Sequence, residues 1–278
     1  MIPFNFDYYK PNTLAEAVNL YAKLDSQGKE PIYYGGGTEF ISMARVHNVK
    51  TKAVIDIKNI PECNVHGLVN GKLTIGSAIT LTDIAVKNHF PLLSLTVKRI
   101  ADHTIQDKIT LGGNLAGTII YREAVLPLMV ANAHIVLEGL KGKRTVATMD
   151  VFKGKMKLFK GELIVQIIVE EKYLNLPYIH VKRTKNEKID YPLITLVALV
   201  DQTKIHIAFS GLCAFPFRDI SLENILNDGN LLQNKRIKIL IENIPYEILE
   251  DLGGSSEYRK FVLHKMLYEV LENFQEVL

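Results

Sequence analysis

Apolar and polar positions alternate between two periods along the first part of the chain. Asn12-Thr13 precede "LAEAVNLYAKL", where Leu14, Val18, Tyr21 and Ala22 recur at helical spacing. "FDYYKP" before it is short, aromatic and extended. "PIYYGG" reads as a strand entering a glycine turn. "AVIDIKNIP" reads as a second strand, with Val54, Ile55 and Ile57 apolar and Pro61 ending it. "KLTIGSAITLTDIAVK" predicts a strand, a bend at Gly76 and a helix capped by Thr80 or Thr82. "LLSLTVKRIADH" reads as helical. "TIQDKITLGGNLAG" opens extended and has a second glycine turn at Gly112-Gly113. A helix is expected from about Glu123 to Ala131, a strand from Ala133 to Glu138, and another in the β-branched "ELIVQIIVEE".

The pattern then changes. "PYIHVKRT", "LITLVALVD" and "KIHIAFSGL" are three strands of similar length with short polar links, the mark of a meander. Helical segments follow, roughly Leu222 to Asn227, Leu231 to Ile241 and Ser256 to Asn273. Mixed elements before about residue 171, and strands then helices after it, place a domain boundary there. The fold class is α+β.

Composition excludes more than it assigns. Of 278 residues, 47% are hydrophobic and 23% charged, and the net charge is only +3, so a globular chain without a nucleic-acid surface is expected. No window approaches about 18 uninterrupted apolar residues, so no membrane span is expected. "MIPFNFDYYK" lacks the charged-then-apolar order of a signal peptide, which favours a cytoplasmic protein. Cys63 and Cys213 stand far apart and form no CxxC; two cysteines cannot ligate an iron–sulfur cluster alone. The histidines show no pair three or four apart, so no metal is expected; His103, near the second glycine pair, reads as a surface residue.

The candidate chemistry lies in the glycines. Gly35-Gly36-Gly37 is followed by Thr38; Gly112-Gly113 is preceded by Thr110 and followed by Asn114. Consecutive N–H groups in such turns can form an anion-binding concavity, and two facing turns would suit a pyrophosphate. A Gly-Gly pair after a strand also serves as a plain tight turn. Neither stretch is a P-loop or a GxGxxG fingerprint.

Seven stretches, in order, are similar to marker segments of the FAD-binding medium subunits of molybdenum hydroxylases, the carbon monoxide dehydrogenase, xanthine dehydrogenase and nicotinate dehydrogenase type. They are "FDYYKPNTLAEAVNLYAKL", "YYGGGTEFI", "VIDIKNIPE", "LTIGSAITLTDI", "TLGGNLAG", "FSGLCAFPFRD" and "GGSSEYRKFVLHKML". The resemblance implies a two-part FAD-binding fold of the p-cresol methylhydroxylase type over residues 1–171, with subdomains of about 1–60 and 61–171. A small C-terminal domain, with a three-stranded antiparallel sheet and helices, would occupy 172–278.

Carried over by position, Tyr33, Tyr34, Gly35, Gly36, Gly37, Thr38, Glu39 and Phe40 make the first FAD segment. Backbone N–H groups would bind the pyrophosphate, with the Thr38 hydroxyl as a further donor. At least one of Tyr33 and Tyr34 is expected to serve strand packing instead. Thr110, Gly112, Gly113, Asn114, Ala116, Gly117 and Thr118 make the second segment. Glu123 falls where the family has an aspartate that holds a ribose or ribityl hydroxyl. Ile164 and Val165 match strand positions that wall the flavin, Lys182 a lysine near the isoalloxazine and Asp190 a carboxylate beyond it; a solvated lysine suits Lys182 equally well. The chain departs from the family at Ile119-Ile120, where a Ser-Pro pair is usual, and at "IQDK", where Ile-Arg-Asn is preferred.

The resemblance implies a three-component oxidoreductase. A molybdopterin subunit oxidises the substrate, a subunit with [2Fe-2S] clusters relays electrons, and this chain passes them through FAD to NAD or another acceptor. A stand-alone FAD oxidoreductase of the same fold and a flavin-free assembly subunit are the alternatives.

Overall fold

The computed structural model describes residues 2–185 and 190–275. The chain opens with β1 (Asp7–Tyr9), α1 (Leu14–Ser26), β2 (Ile32–Tyr34), α2 (Thr38–Arg45) and β3 (Ala53–Asp56). Both β1 and β2 run parallel to a central β3, whose four residues are all buried. The start of α1 is a capping box: the Thr13 hydroxyl accepts from the Glu16 N–H, and the Glu16 carboxylate accepts from the Thr13 N–H. Leu14, Ala17, Val18 and Leu24 are its buried residues.

After a short 3-10 turn at Pro61–Asn64 come β4 (His66–Val69), β5 (Lys72–Gly76), α3 (Leu81–Lys87), α4 (Pro91–Val97), α5 (His103–Gln106), α6 (Leu111–Ala116) and α7 (Val125–Val130). Then follow β6 (His134–Gly139), β7 (Gly142–Ala147), α8 (Thr148–Val151) and β8 (Leu163–Glu170). The five strands form an antiparallel sheet in the order β4-β5-β8-β6-β7. Asn70 and Gly71, with φ of 51° and 72°, close the β4–β5 hairpin in the left-handed conformations that a two-residue turn requires. The largest apolar core joins this sheet to α3, α4, α6 and α7.

The last part contains β9 (Tyr178–Thr184), β10 (Pro192–Asp201), β11 (Lys204–Ser210), α9 (Ile220–Leu226), α10 (Gln233–Glu242) and α11 (Ser256–Asn273). The three strands form an antiparallel meander with β10 in the middle. Val197 and Leu199 of β10 join the large core, whereas Leu196, Ala198 and Val200 face the helices α9 to α11. Burial on both faces explains why "LITLVALVD" is continuously apolar rather than alternating. Phe217 belongs to this second core, and Phe215 packs edge-on against Tyr246 with ring centroids 4.9 Å apart.

Three expectations change, and one alternative is settled. The run ahead of the second glycine pair is not extended: Asp102 caps α5 by accepting from the Ile105 N–H at 3.0 Å. Gly112-Gly113 is not a turn but the first turn of α6, capped by the Thr110 hydroxyl. Thr80, not Thr82, caps α3, and the expected helix at Glu123 begins at Val125.

Candidate functional site

The first glycine segment joins β2 to α2. Gly37 is left-handed at φ 71°, and a Cβ there would lie 2.1 Å from the Tyr34 hydroxyl. With glycine at its N-cap, α2 has no side-chain cap. Among the described residues, no acceptor meets the N–H groups from Gly36 through Phe40. An eight-residue helix thus presents a row of open donors and the positive end of its dipole in one place.

The second segment lies against the first. A Cβ on Gly36 would lie 1.6 Å from the Lys108 carbonyl oxygen, and one on Gly35 would lie 2.7 Å from the Thr110 hydroxyl. Glu39 bridges the two: its Oε1 accepts from both the N–H and the hydroxyl of Thr118, each at 2.8 Å. A Cβ on Gly117 would strike the same carboxylate.

The expectation of two facing N–H concavities is corrected here. Gly112 donates to the Ser77 carbonyl, Gly113 to the Thr110 hydroxyl, Asn114 to the Thr110 carbonyl, Gly117 to the Gly113 carbonyl and Thr118 to Glu39. The second segment therefore offers no open row of donors. It offers the exposed backbone of Gly113, whose added Cβ would meet only the Thr110 hydroxyl within 4 Å, and the Asn114 carboxamide oxygen, buried without a partner. Ala116 is exposed beside them.

The other expected residues separate. Tyr33 serves packing: it stacks on Tyr21 with centroids 5.1 Å apart and donates to the Gly161 carbonyl at 3.1 Å. Burial pushes its phenol well above the ordinary value. Tyr34 and Phe40 meet edge to face beside the glycines, at 6.1 Å, and Thr38 is half-buried at the start of α2. Ile164 and Val165 are interior, 4% and 1% exposed. Val165 sits in a register shift of β8 against β6, and its carbonyl accepts from the Ser77 N–H.

Glu123 and Lys182 pair with each other at 3.0 Å, and Thr195 donates to the other Glu123 oxygen at 2.6 Å. The resemblance assigns Glu123 to a ligand hydroxyl, but in this structure both of its oxygens are engaged inside the chain. Lys182 is likewise not a solvated lysine. Asp190 is half-buried at the entry to β10, and His103 is exposed, 3.7 Å from Asp107.

Two further residues adjoin the glycines. Lys58 donates to the Gly35 carbonyl at 2.9 Å, pairs with Asp56 at 2.8 Å and lies 4.7 Å from the centre of the Tyr34 ring. Arg122, buried, donates to the carbonyls of Gly117 at 3.2 Å and Gly154 at 2.6 Å. Lys58 lies within "VIDIKNIPE" but is not among the expected site residues, and Arg122 lies in none of the seven stretches.

Open donors on one segment, an unpartnered buried oxygen on the other and a glycine surface between them suit a ligand with an anionic middle and hydroxyl-bearing flanks. The family model described as the FAD binding domain in molybdopterin dehydrogenase matches residues 4–170, and the chain belongs to this family. It is an FAD-binding subunit of an oxidoreductase of the molybdopterin dehydrogenase and hydroxylase type. The chain is 29% identical to the glyceraldehyde dehydrogenase medium chain of Sulfolobus acidocaldarius, with all of both chains covered. It is 31% identical to the carbon monoxide dehydrogenase medium chain of Hydrogenophaga pseudoflava, over 61% of this chain and 60% of that one. Among solved structures, carbon monoxide dehydrogenase from the same organism, lacking the Mo-pyranopterin moiety, superposes with a TM-score of 0.85 at 25% identity over 97% of this chain and 96% of that one. Quinoline 2-oxidoreductase from Pseudomonas putida 86 shares the fold, with a TM-score of 0.86 at 20% identity over 99% of both chains. Among the described residues, no cluster of side chains suits a metal ion and no helix is long and apolar enough to cross a membrane.

Proposed function

We propose that this chain is the flavin subunit of a three-part complex. A molybdopterin partner oxidises the substrate, a [2Fe-2S] partner relays electrons, and this chain delivers them to NAD or another acceptor. The observation that carries the reading is the row of N–H groups from Gly36 through Phe40 without acceptors, set against the Gly113 surface. FAD, when bound, links one-electron clusters to a two-electron acceptor.

The chain's own residues bind and orient. The N–H groups of the first segment and the Thr38 hydroxyl would hold the pyrophosphate, and Asn114 would take a hydroxyl or N–H of the ligand through its free oxygen. Glu39 keeps the two segments in register through Thr118. In this reading residues 1–171 carry the cofactor, and the C-terminal unit from about residue 172 closes over it. Cytoplasmic placement follows from the same assignment.

Co-purification from the native host with metal analysis tests the assembly. The expected result is one complex containing this chain, molybdenum, iron and FAD. A preparation of this chain alone, free of both metals, that oxidises an organic substrate at about 1 per second or faster overturns it in favour of a stand-alone flavoenzyme. Colourless protein that refuses FAD marks an assembly subunit.

A further inference from the structure

Lys58 and Arg122 stand in the same relation to the two glycine segments. Each donates to a glycine carbonyl: Lys58 to Gly35 at 2.9 Å and Arg122 to Gly117 at 3.2 Å. In a trans peptide the carbonyl and the following N–H lie in one plane and point in opposite directions. Holding the Gly35 carbonyl on one side therefore turns the Gly36 N–H to the other. Holding the Gly117 carbonyl turns the Thr118 N–H in the same way. The result is visible at Thr118, whose N–H meets Glu39 at 2.8 Å. At Gly36 the turned N–H heads the row that has no acceptor. Glycine has little conformational preference of its own, so such a peptide needs an external hold.

Both cations are themselves held. Lys58 pairs with Asp56, which is 1% exposed and also accepts from the Tyr8 hydroxyl and the Lys58 N–H. Burial works to raise the Asp56 carboxyl, but the bonds from Lys58 and Tyr8 outweigh it and keep the group below its ordinary value. Arg122 is 4% exposed and anchors its other arm on the Gly154 carbonyl, with its guanidinium 5.0 Å from the centre of the Phe152 ring. Its backbone is left-handed at φ 30°, uncommon for a residue with a side chain, and its Nε has no partner. Both acceptors of this buried cation are backbone carbonyls rather than carboxylates.

We propose that Lys58 and Arg122 are positioning residues: Lys58, supported by Tyr8 and Asp56, sets the Gly35–Gly36 peptide plane for the cofactor pyrophosphate, and Arg122 sets the Gly117–Thr118 plane for the Glu39 bridge that holds the second segment against the first. The proposal rests on the reading of the first glycine segment as the pyrophosphate site. It separates a donor row that exists before the ligand arrives from one that the ligand must organise.

The test uses the full chain, stripped of flavin and titrated with FAD by fluorescence quenching, with ADP as competitor and riboflavin as a probe lacking the pyrophosphate. Lys58→Met keeps an unbranched side chain of similar length and removes the charged donor. It is expected to weaken FAD and ADP by about tenfold or more, the usual size for a hydrogen bond to a charged group. Riboflavin binding stays as in the wild type, the thermal midpoint of the stripped chain falls because the buried Asp56 loses its partner, and Lys58→Arg restores most of both losses. Arg122→Lys, which keeps the charge but not both arms, shows the same selective loss. Equal loss of FAD and riboflavin, or no loss of either, overturns the proposal. Gly113→Val is the control: if it loses FAD while Lys58→Met does not, only the positioning role fails. If both variants bind FAD like the wild type, the pyrophosphate site itself is misassigned.

Discussion

Glu123 and Lys182 form an ion pair 3.0 Å apart in the interior, with side chains 5% and 2% exposed, and so tie the turn before α7 to β9. Lys182 also donates to the Arg99 carbonyl at 2.7 Å, and Thr195 of β10 closes the other side of the carboxylate. Burial pushes the Glu123 carboxyl up, against the pull of Lys182 and Thr195. Removing one partner strands the other. Lys182→Met is expected to cost about 3–5 kcal/mol in urea unfolding at pH 7, and the double variant with Glu123→Gln much less. Without the lysine the carboxyl rises further, so the deficit of Lys182→Met shrinks as the pH falls from 7 to 5. A deficit independent of pH would show that the charge of Glu123 is not what the lysine balances.

His180 predicts acid lability. Burial, with the Arg99 and Lys182 charges beside it, pushes the imidazole down to about 3 from 6.5. Arg99 donates to Nδ1 at 3.3 Å, so the ring proton sits on Nε2, which has no partner. The unfolded chain takes up this proton near pH 6.5 and the folded chain only near pH 3. Stability therefore falls as the pH drops through that window, by up to about 1.4 kcal/mol per unit. His66, lowered to about 4 by burial and Lys87, adds in the same direction, and the raised Glu123 opposes both. Comparing the pH–stability slope of His180→Gln with the wild type isolates the one residue: the variant should be flatter between pH 6 and 4. Parallel slopes would exclude His180.

The elements with strong periodicity were legible in the sequence. Strands β9 to β11 and helix α11, whose Ser255 cap precedes a long amphipathic run, lie where apolar spacing puts them. Strand β7 was not legible, because "GKRTVA" is polar and largely solvent-facing and so carries no burial signal. The glycine segments were visible as glycines, but not their reason. Gly36 is glycine because the Lys108 carbonyl approaches it, and no local pattern announces a neighbour so distant in the chain. Glu123 could be matched by position to a ligand-binding acid, yet its partners Lys182 and Thr195 come from strands that only the fold brings to it. Lys58 had one local signal, its position two residues after the buried strand-end Asp56. Arg122 had none.

Glu39 should matter to cofactor affinity more than to stability. Its carboxylate collects two donors of Thr118 on the half-exposed edge between the segments. Glu39→Ala is expected to lower FAD affinity about tenfold, the order of a charged hydrogen bond. Glu39→Gln, which keeps a carbonyl acceptor, should lower it less. The thermal midpoint of the flavin-free chain should move by only a few degrees, about what 1 kcal/mol does in a chain of this size. Flavin fluorescence titration beside a melting curve measures both. Unchanged affinity in the alanine variant would mean that the segments hold their register without the bridge.

Gly36 and Gly113 should respond in opposite ways to an added side chain. A Cβ on Gly36 meets the Lys108 carbonyl at 1.6 Å and the next backbone atom at 2.7 Å, a collision with main chain that no rotamer relieves. Gly36→Ala should therefore push the second segment away and destabilise the flavin-free chain, by roughly the 1–3 kcal/mol of a forced overpacking. A Cβ on Gly113 meets only the Thr110 hydroxyl, at 2.9 Å, so relief disturbs the α6 cap rather than the main chain of another segment. Gly113→Val should cost the flavin-free chain no more than about the 1 kcal/mol of a lost cap and abolish tight FAD binding, because the branched side chain projects from the exposed surface where the cofactor would approach. Denaturant unfolding without flavin, followed by FAD titration of whatever remains folded, separates the two outcomes. A Gly113→Val chain that is stable and binds FAD normally would place Gly113 outside the cofactor surface and leave the contact to the first segment.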